Sequence, residues 1–168
     1  LMEVADSHCT LQDKPKLMEP AILGHGTHAA GLLGARDASG LGVQGTCKHC
    51  GIQMYKSTYL ICATTSTSPR VQPYLNADGV DRGRAQAVDT GIQALSMSFG
   101  ANFNGLDRCK AYVNFPQCLA LAYGSARDVT MVAASGNQRV DLNFPASDKR
   151  VVSAGGFQQN LALWNDAP

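Results

Sequence analysis

An α/β fold, with a mostly parallel sheet flanked by helices, is predicted by three features of this 168-residue chain. Strand-like segments alternate with helix-like ones, and glycine-punctuated turns join them. The composition agrees: 45% hydrophobic against 16% charged residues, with 17 glycines, suits a buried sheet with many tight turns and excludes a disordered class. The length fits one domain over residues 1–168, large enough to bury a sizeable core.

Residues 2–5 read as a short strand whose carboxyl end delivers Asp6. A polar loop with two prolines, Pro15 and Pro20, follows. Residues 27–35 hold Ala, Gly and Leu with no charge before Arg36, the pattern of a buried helix beginning at the GHGTH turn. Residues 37–45 are glycine-punctuated loop, and GIQMYKS over 51–57 alternates as a half-buried strand. The Thr, Ser, Pro, Asn and Gly content of 64–83 predicts a surface loop, so 58–83 is read as an insertion.

Residues 84–90 fit the end of a helix, and 92–99 (IQALSMSF) a buried strand closed by Gly100. A loop to Phe115 leads to Pro116, a residue suited to the first helical turn, with Leu119, Leu121, Ala122 and Ala126 marking that helix. Residues 129–134 (VTMVAA) read as a fully apolar parallel strand, and 150–154 as the last strand. In open α/β sheets ligands bind beyond the carboxyl ends of the strands, where the distinctive motifs of this chain fall.

Net charge is +1, and no basic run is interleaved with aromatics, which argues against a nucleic-acid partner. No apolar stretch approaches the roughly 20 residues of a membrane span. The chain opens on Leu1 in strand-like sequence without a basic, apolar leader, as expected of an excised or incomplete domain. Six cysteines (Cys9, Cys47, Cys50, Cys62, Cys109, Cys118) favour an oxidising, secreted or extracytoplasmic setting.

GHGTHAAG places His25 and His28 among glycines at the start of the small-residue helix. A general base needs an imidazole held on a rigid element with one ring nitrogen open to a cleft. His25 meets this best, while His28, one turn inward, reads as a buried structural histidine. The stretch HGTHAAG resembles the signature of subtilases, serine peptidases in which the first histidine of the motif is the base.

Later segments resemble the same family in the same order. GLGVQGTCKHCGIQMYKS is similar to the segment after the catalytic helix, and SMSFG to the strand end that pairs with bound peptide, which implies substrate contacts from Ser98, Phe99 and Gly100. MVAASGNQ resembles the AAGN motif, implying that Asn137 donates to the developing oxyanion and that Ala134, Ser135 and Gly136 border the substrate. FPAS at 144–147 and VVSAGG at 151–156 follow in family order. The resemblance is weakest over 58–83 and 101–115.

VADS resembles the strand end carrying the triad aspartate, which implies that Asp6 orients His25, although His8 stands where the family has glycine. The gap, 25 − 6 = 19 residues, is shorter than usual in the family, and Asp13 is the substitute. No GTSMA-like nucleophile segment occurs, and Ser147 and Ser153 belong to segments matched to other parts of the fold. The expected subtilisin-like fold is therefore incomplete at its carboxyl end and the chain alone nearly inert.

The resemblance implies an endopeptidase acting on peptide or protein substrates through an Asp/His/Ser triad, as a monomer. The alternative is a catalytically inactive peptide-binding relative. Structural calcium is common in the family, but no loop here identifies ligands. CKHC with His25 and His28 offers a zinc reading, weaker than a Cys47–Cys50 disulfide; Cys109 with Cys118 is a second candidate pair, leaving Cys9 and Cys62 paired or free. A nucleotide-binding reading fails for want of G-x-G-x-x-G between a strand and a helix.

Overall fold

The structure, a computed structural model, describes residues 20–36, 42–65, 68–104, 107–111, 114–138 and 141–164, with 20–23 and 59–74 described by backbone alone. The expected strand over 2–5, with Asp6, Asp13 and Cys9, lies outside these residues. The chain divides into two compact units, Leu1–Gly79 and Val80–Pro168.

In the first unit, helix α1 spans Pro20–Gly34. Proline suits the first helical position, where its missing N–H forfeits no intrahelical bond. The helix thus begins before the GHGTH turn, and His25 sits in its second turn rather than at its start. Gly24, Gly26 and Gly31 weaken its interior by about 1 kcal/mol each relative to alanine. Its carboxyl end is satisfied from outside: Thr46 N–H donates to Leu32 O at 2.9 Å, Cys47 N–H to Leu33 O at 2.8 Å, and Gly45 N–H to Ala35 O at 2.9 Å. A disulfide joins Cys47 to Cys50, as expected.

Residues 51–57 were expected as a half-buried strand, but they carry no regular secondary structure and leave Ile52 and Met54 exposed. Pairing begins at β1, Thr58–Thr65, which runs antiparallel to β2, Ser68–Leu75, from Thr58 opposite Leu75 to Thr65 opposite Ser68. This corrects the loop expected over 64–83. Its prolines, Pro69 and Pro73, are four residues apart, so their missing donors fall on the same edge of the strand, where a two-stranded ribbon tolerates them. Asn76 caps the next helix, its Oδ1 accepting from Gly79 N–H at 3.3 Å.

Helix α2, Ala77–Asp89, contains the boundary between the units and extends well before the expected 84–90. The second unit holds the parallel sheet predicted from the sequence, in the order β3 (Ala94–Met97), β4 (Thr130–Ala134), β5 (Val152–Ala154). Between β3 and β4 lie the short α3, Arg108–Ala111, and α4, Pro116–Ser125. Asp107 starts α3, its Oδ1 accepting from Cys109 N–H at 3.1 Å and Lys110 N–H at 3.0 Å.

The core of this unit gathers Val88 of α2, Met97 of β3, Leu121 of α4, Met131 and Ala133 of β4, and Phe144. One face of β4 is buried while Thr130 and Ala134 are exposed, so the strand is half-buried rather than buried on both faces as its apolar run predicted. A disulfide between Cys109 and Cys118 ties α3 to α4. Phe103 and Phe115 both lean on Phe144, with ring centroids 6.2 and 6.3 Å away, and the Arg108 guanidinium lies 4.0 Å from the Phe103 centroid and 4.5 Å from that of Phe115.

Candidate active site

His25 is exposed on α1, so its imidazole is open to solvent on a rigid helical turn. His28 is also exposed, which corrects the expectation of a buried structural histidine; the small residues around it read as packing, but that side of the helix faces outward. Cys47 and Cys50 are bonded to each other, so neither sulfur is a thiolate ligand. Among the described residues, no group of three or more His, Cys, Asp or Glu side chains could hold a metal ion.

The remaining candidates among the described residues lie in the second unit. Since β3 and β4 run parallel, with Met97 opposite Ala133, Ser98–Phe99–Gly100 and Ser135–Gly136–Asn137 emerge from the same edge of the sheet. This is the edge at which α/β sheets bind ligands. Ser98 and Gly100 are exposed and Phe99 is half-buried. Ala134 ends β4 exposed, Ser135 is buried, and Asn137 is exposed at the turn. Gly136 has φ +127°, a conformation L side chains rarely adopt, which explains glycine immediately before the asparagine.

Hydrogen bonds fix this edge. Ser135 N–H donates to Ala154 O at 2.9 Å, extending the β4–β5 pairing by one residue, and Asn143 N–H donates to Ser135 O at 2.8 Å. Ala101 and Phe144 exchange two backbone bonds of 2.9 Å, so the chain leaving β3 is pinned to the FPAS segment. Asn102 Nδ2 adds a bond to Asp141 O at 3.2 Å.

Two charged side chains are buried in the same unit. Asp148 is buried and receives Arg150 Nε at 2.7 Å, Arg150 NH2 at 2.6 Å and Arg150 N–H at 2.9 Å. Burial pushes its carboxyl up, but these bonds and the charges of Arg150 and Lys149 outweigh it, leaving Asp148 below the usual carboxylate range. Arg84 on α2 is 4% exposed, 3.5 Å from Asp81 and 5.6 Å from the Phe99 ring centroid. Burial pushes its guanidinium down to about 10 against the pull of Asp81, so it stays charged at neutral pH, with Nε lacking a hydrogen-bond partner among the described residues.

Arg84 and Asn143 were not singled out from the sequence. A lone arginine in a polar helix reads as solvated, and an asparagine before FPAS reads as loop. The signal available was only that Arg84 falls on the helix face shared with Val80, Ala87 and Val88.

The subtilase family model matches residues 5–166. Among solved structures, the chain is similar to the prenylagaramide maturation protease PagA, at 20% identity and TM-score 0.48, covering 64% of this chain and 36% of that one. It is similar to the S218A mutant of the protease domain of PatA, at 22% identity and TM-score 0.44, covering 53% and 31%. A lanthipeptide protease matches at 18% identity and TM-score 0.47, covering 55% and 31%. The chain therefore spans about a third of the length of these structures. No curated protein matches. With the family model matched over nearly the whole sequence, the chain belongs to the subtilase family.

Proposed function

We propose that this chain supplies the base, the oxyanion donor and the peptide-binding edge of a secreted or extracytoplasmic serine endopeptidase whose nucleophilic serine is not among its residues. Asp6 orients His25, and His25 takes the proton of the attacking serine and later returns it to the leaving amine. The Asn137 side-chain amide donates to the oxygen that gains charge in the tetrahedral intermediate. Peptide lies extended along Ser98–Gly100 on one side and Ala134–Gly136 on the other, its backbone pairing with theirs. The 58–83 segment is an insertion relative to the family, and the chain acts as a monomer.

The observation that carries this reading is the placement of SMSFG and ASGNQ at one edge of a parallel sheet, with Asn137 exposed just past a positive-φ glycine. A preorganised oxyanion donor requires that setting, a rigid strand end with its amide free to face a substrate. His25, exposed on a helix within the family motif, supplies the partner chemistry.

A fluorophosphonate probe tests the serine assignment. The 168-residue chain is expected to remain unlabelled, and stoichiometric labelling of any of its serines overturns that part of the reading. An inactive peptide-binding relative is the outcome if the chain, joined to a serine-bearing segment, binds extended peptides yet never cleaves them.

A further inference from the structure

Between the peptide-binding edge and the oxyanion turn lies a side chain with no part in the chemistry proposed above. Asn143 is 8% exposed and packed between two glycines that belong to different segments of the site. A Cβ on Gly100 would stand 2.8 Å from Asn143 Cβ, and one on Gly136 would stand 2.7 Å from Asn143 Nδ2 and 3.0 Å from its Cγ. Both glycines therefore leave room for the same asparagine.

Asn143 also bonds both ends of the turn that carries Asn137. Its backbone N–H donates to Ser135 O at 2.8 Å, on the near side, and its Nδ2 makes a long bond of 3.5 Å to Gln138 Oε1, on the far side. Its own carbonyl accepts from Ser147 N–H at 3.0 Å, anchoring it to the segment after Phe144. Its Oδ1, by contrast, is buried with no hydrogen-bond partner among the described residues. A side chain kept only to fill space would be better apolar, because a buried acceptor without a donor is destabilising. Keeping an amide there makes sense if its other end, Nδ2, has a task.

We propose that Asn143 is the positioning residue of the oxyanion turn, clipping residues 135–138 so that Asn137 projects at a fixed place relative to Gly100 and the bound peptide. This rests on the oxyanion role proposed for Asn137. The clip acts through Gln138 and Ser135.

Backbone 15N relaxation on the 168-residue chain tests it, comparing the parent with Asn143→Leu and Gln138→Ala. Leucine keeps the packing between the glycines and removes the unpaired acceptor, so its Tm holds or rises. Order parameters at Asn137 and Gln138 are nevertheless expected to fall from about 0.85 toward about 0.6 in Asn143→Leu, and part of the way in Gln138→Ala, while Met131–Ala133 stay unchanged. Gln138 is exposed, so that variant folds even if the leucine one does not. Unchanged order at Asn137 in Gln138→Ala, or an equal fall throughout β4, overturns the proposal. Failure of the oxyanion reading looks different: in the chain joined to a serine-bearing segment, Asn137→Ala would leave turnover intact, while the clip still registered by relaxation in the 168-residue chain.

Discussion

At the scale of single residues, charge and hydrogen-bond pairing decide what the site tolerates. Asp148 has its carboxyl pKa lowered by Arg150, so it contributes stability at pH above its unfolded value of about 4 and loses that contribution as pH falls through its lowered folded value. The stability difference between the parent and Asp148→Asn, measured by urea unfolding, is expected to be constant from about pH 7 to 5 and to shrink below about pH 4. A difference that grows in acid contradicts the pairing. For turnover, Asn137→Ala in a chain joined to a serine-bearing segment is expected to lower kcat by about 10²- to 10³-fold with little change in KM. Asn143→Leu should lower kcat less and add nothing in the Asn137→Ala background, since one residue acts through the other.

At the scale of elements, buried charge and covalent closure matter most. On α2, Arg84 is buried beside the partly buried Asp81 and sets its guanidinium over Phe99, just past the end of β3. Removing Asp81 leaves a less compensated buried cation, so Asp81→Ala is expected to destabilise by ~2 kcal/mol or more, whereas Arg84→Met keeps the apolar stem and is neutral or stabilising. Chemical denaturation ranks the two, and a methionine variant less stable than the alanine one contradicts the account. The Cys109–Cys118 disulfide closes a short loop between α3 and α4. Replacing both cysteines by alanine is expected to cost about 2–3 kcal/mol in chain entropy alone, read from the shift in the urea midpoint at constant m.

At the scale of the whole molecule, the proposed base lies in the unit Leu1–Gly79 and the proposed oxyanion donor and peptide edge in Val80–Pro168. The parallel sheet was legible because IQALSMSF and VTMVAA are short, largely apolar runs, each followed by a serine or glycine turn, and α4 because Pro116 opens an apolar run. The β1–β2 hairpin was not, because Pro69 and Pro73 are loop signals in isolation and become permissible only once both lie on a strand edge. Strand character over 51–57 was overread, since alternation alone does not provide a pairing partner. His25 and Asn137 are proposed from short motifs with local chemical logic, whereas Asn143 and Arg84 are placed by neighbours distant in sequence. The most direct test of the central claim is peptide cleavage by the chain joined to a serine-bearing segment, compared with its His25→Ala variant. The account predicts that kcat falls by about 10⁴-fold or more with substrate binding retained; cleavage persisting within about tenfold of the parent would contradict the assignment of His25 as the base.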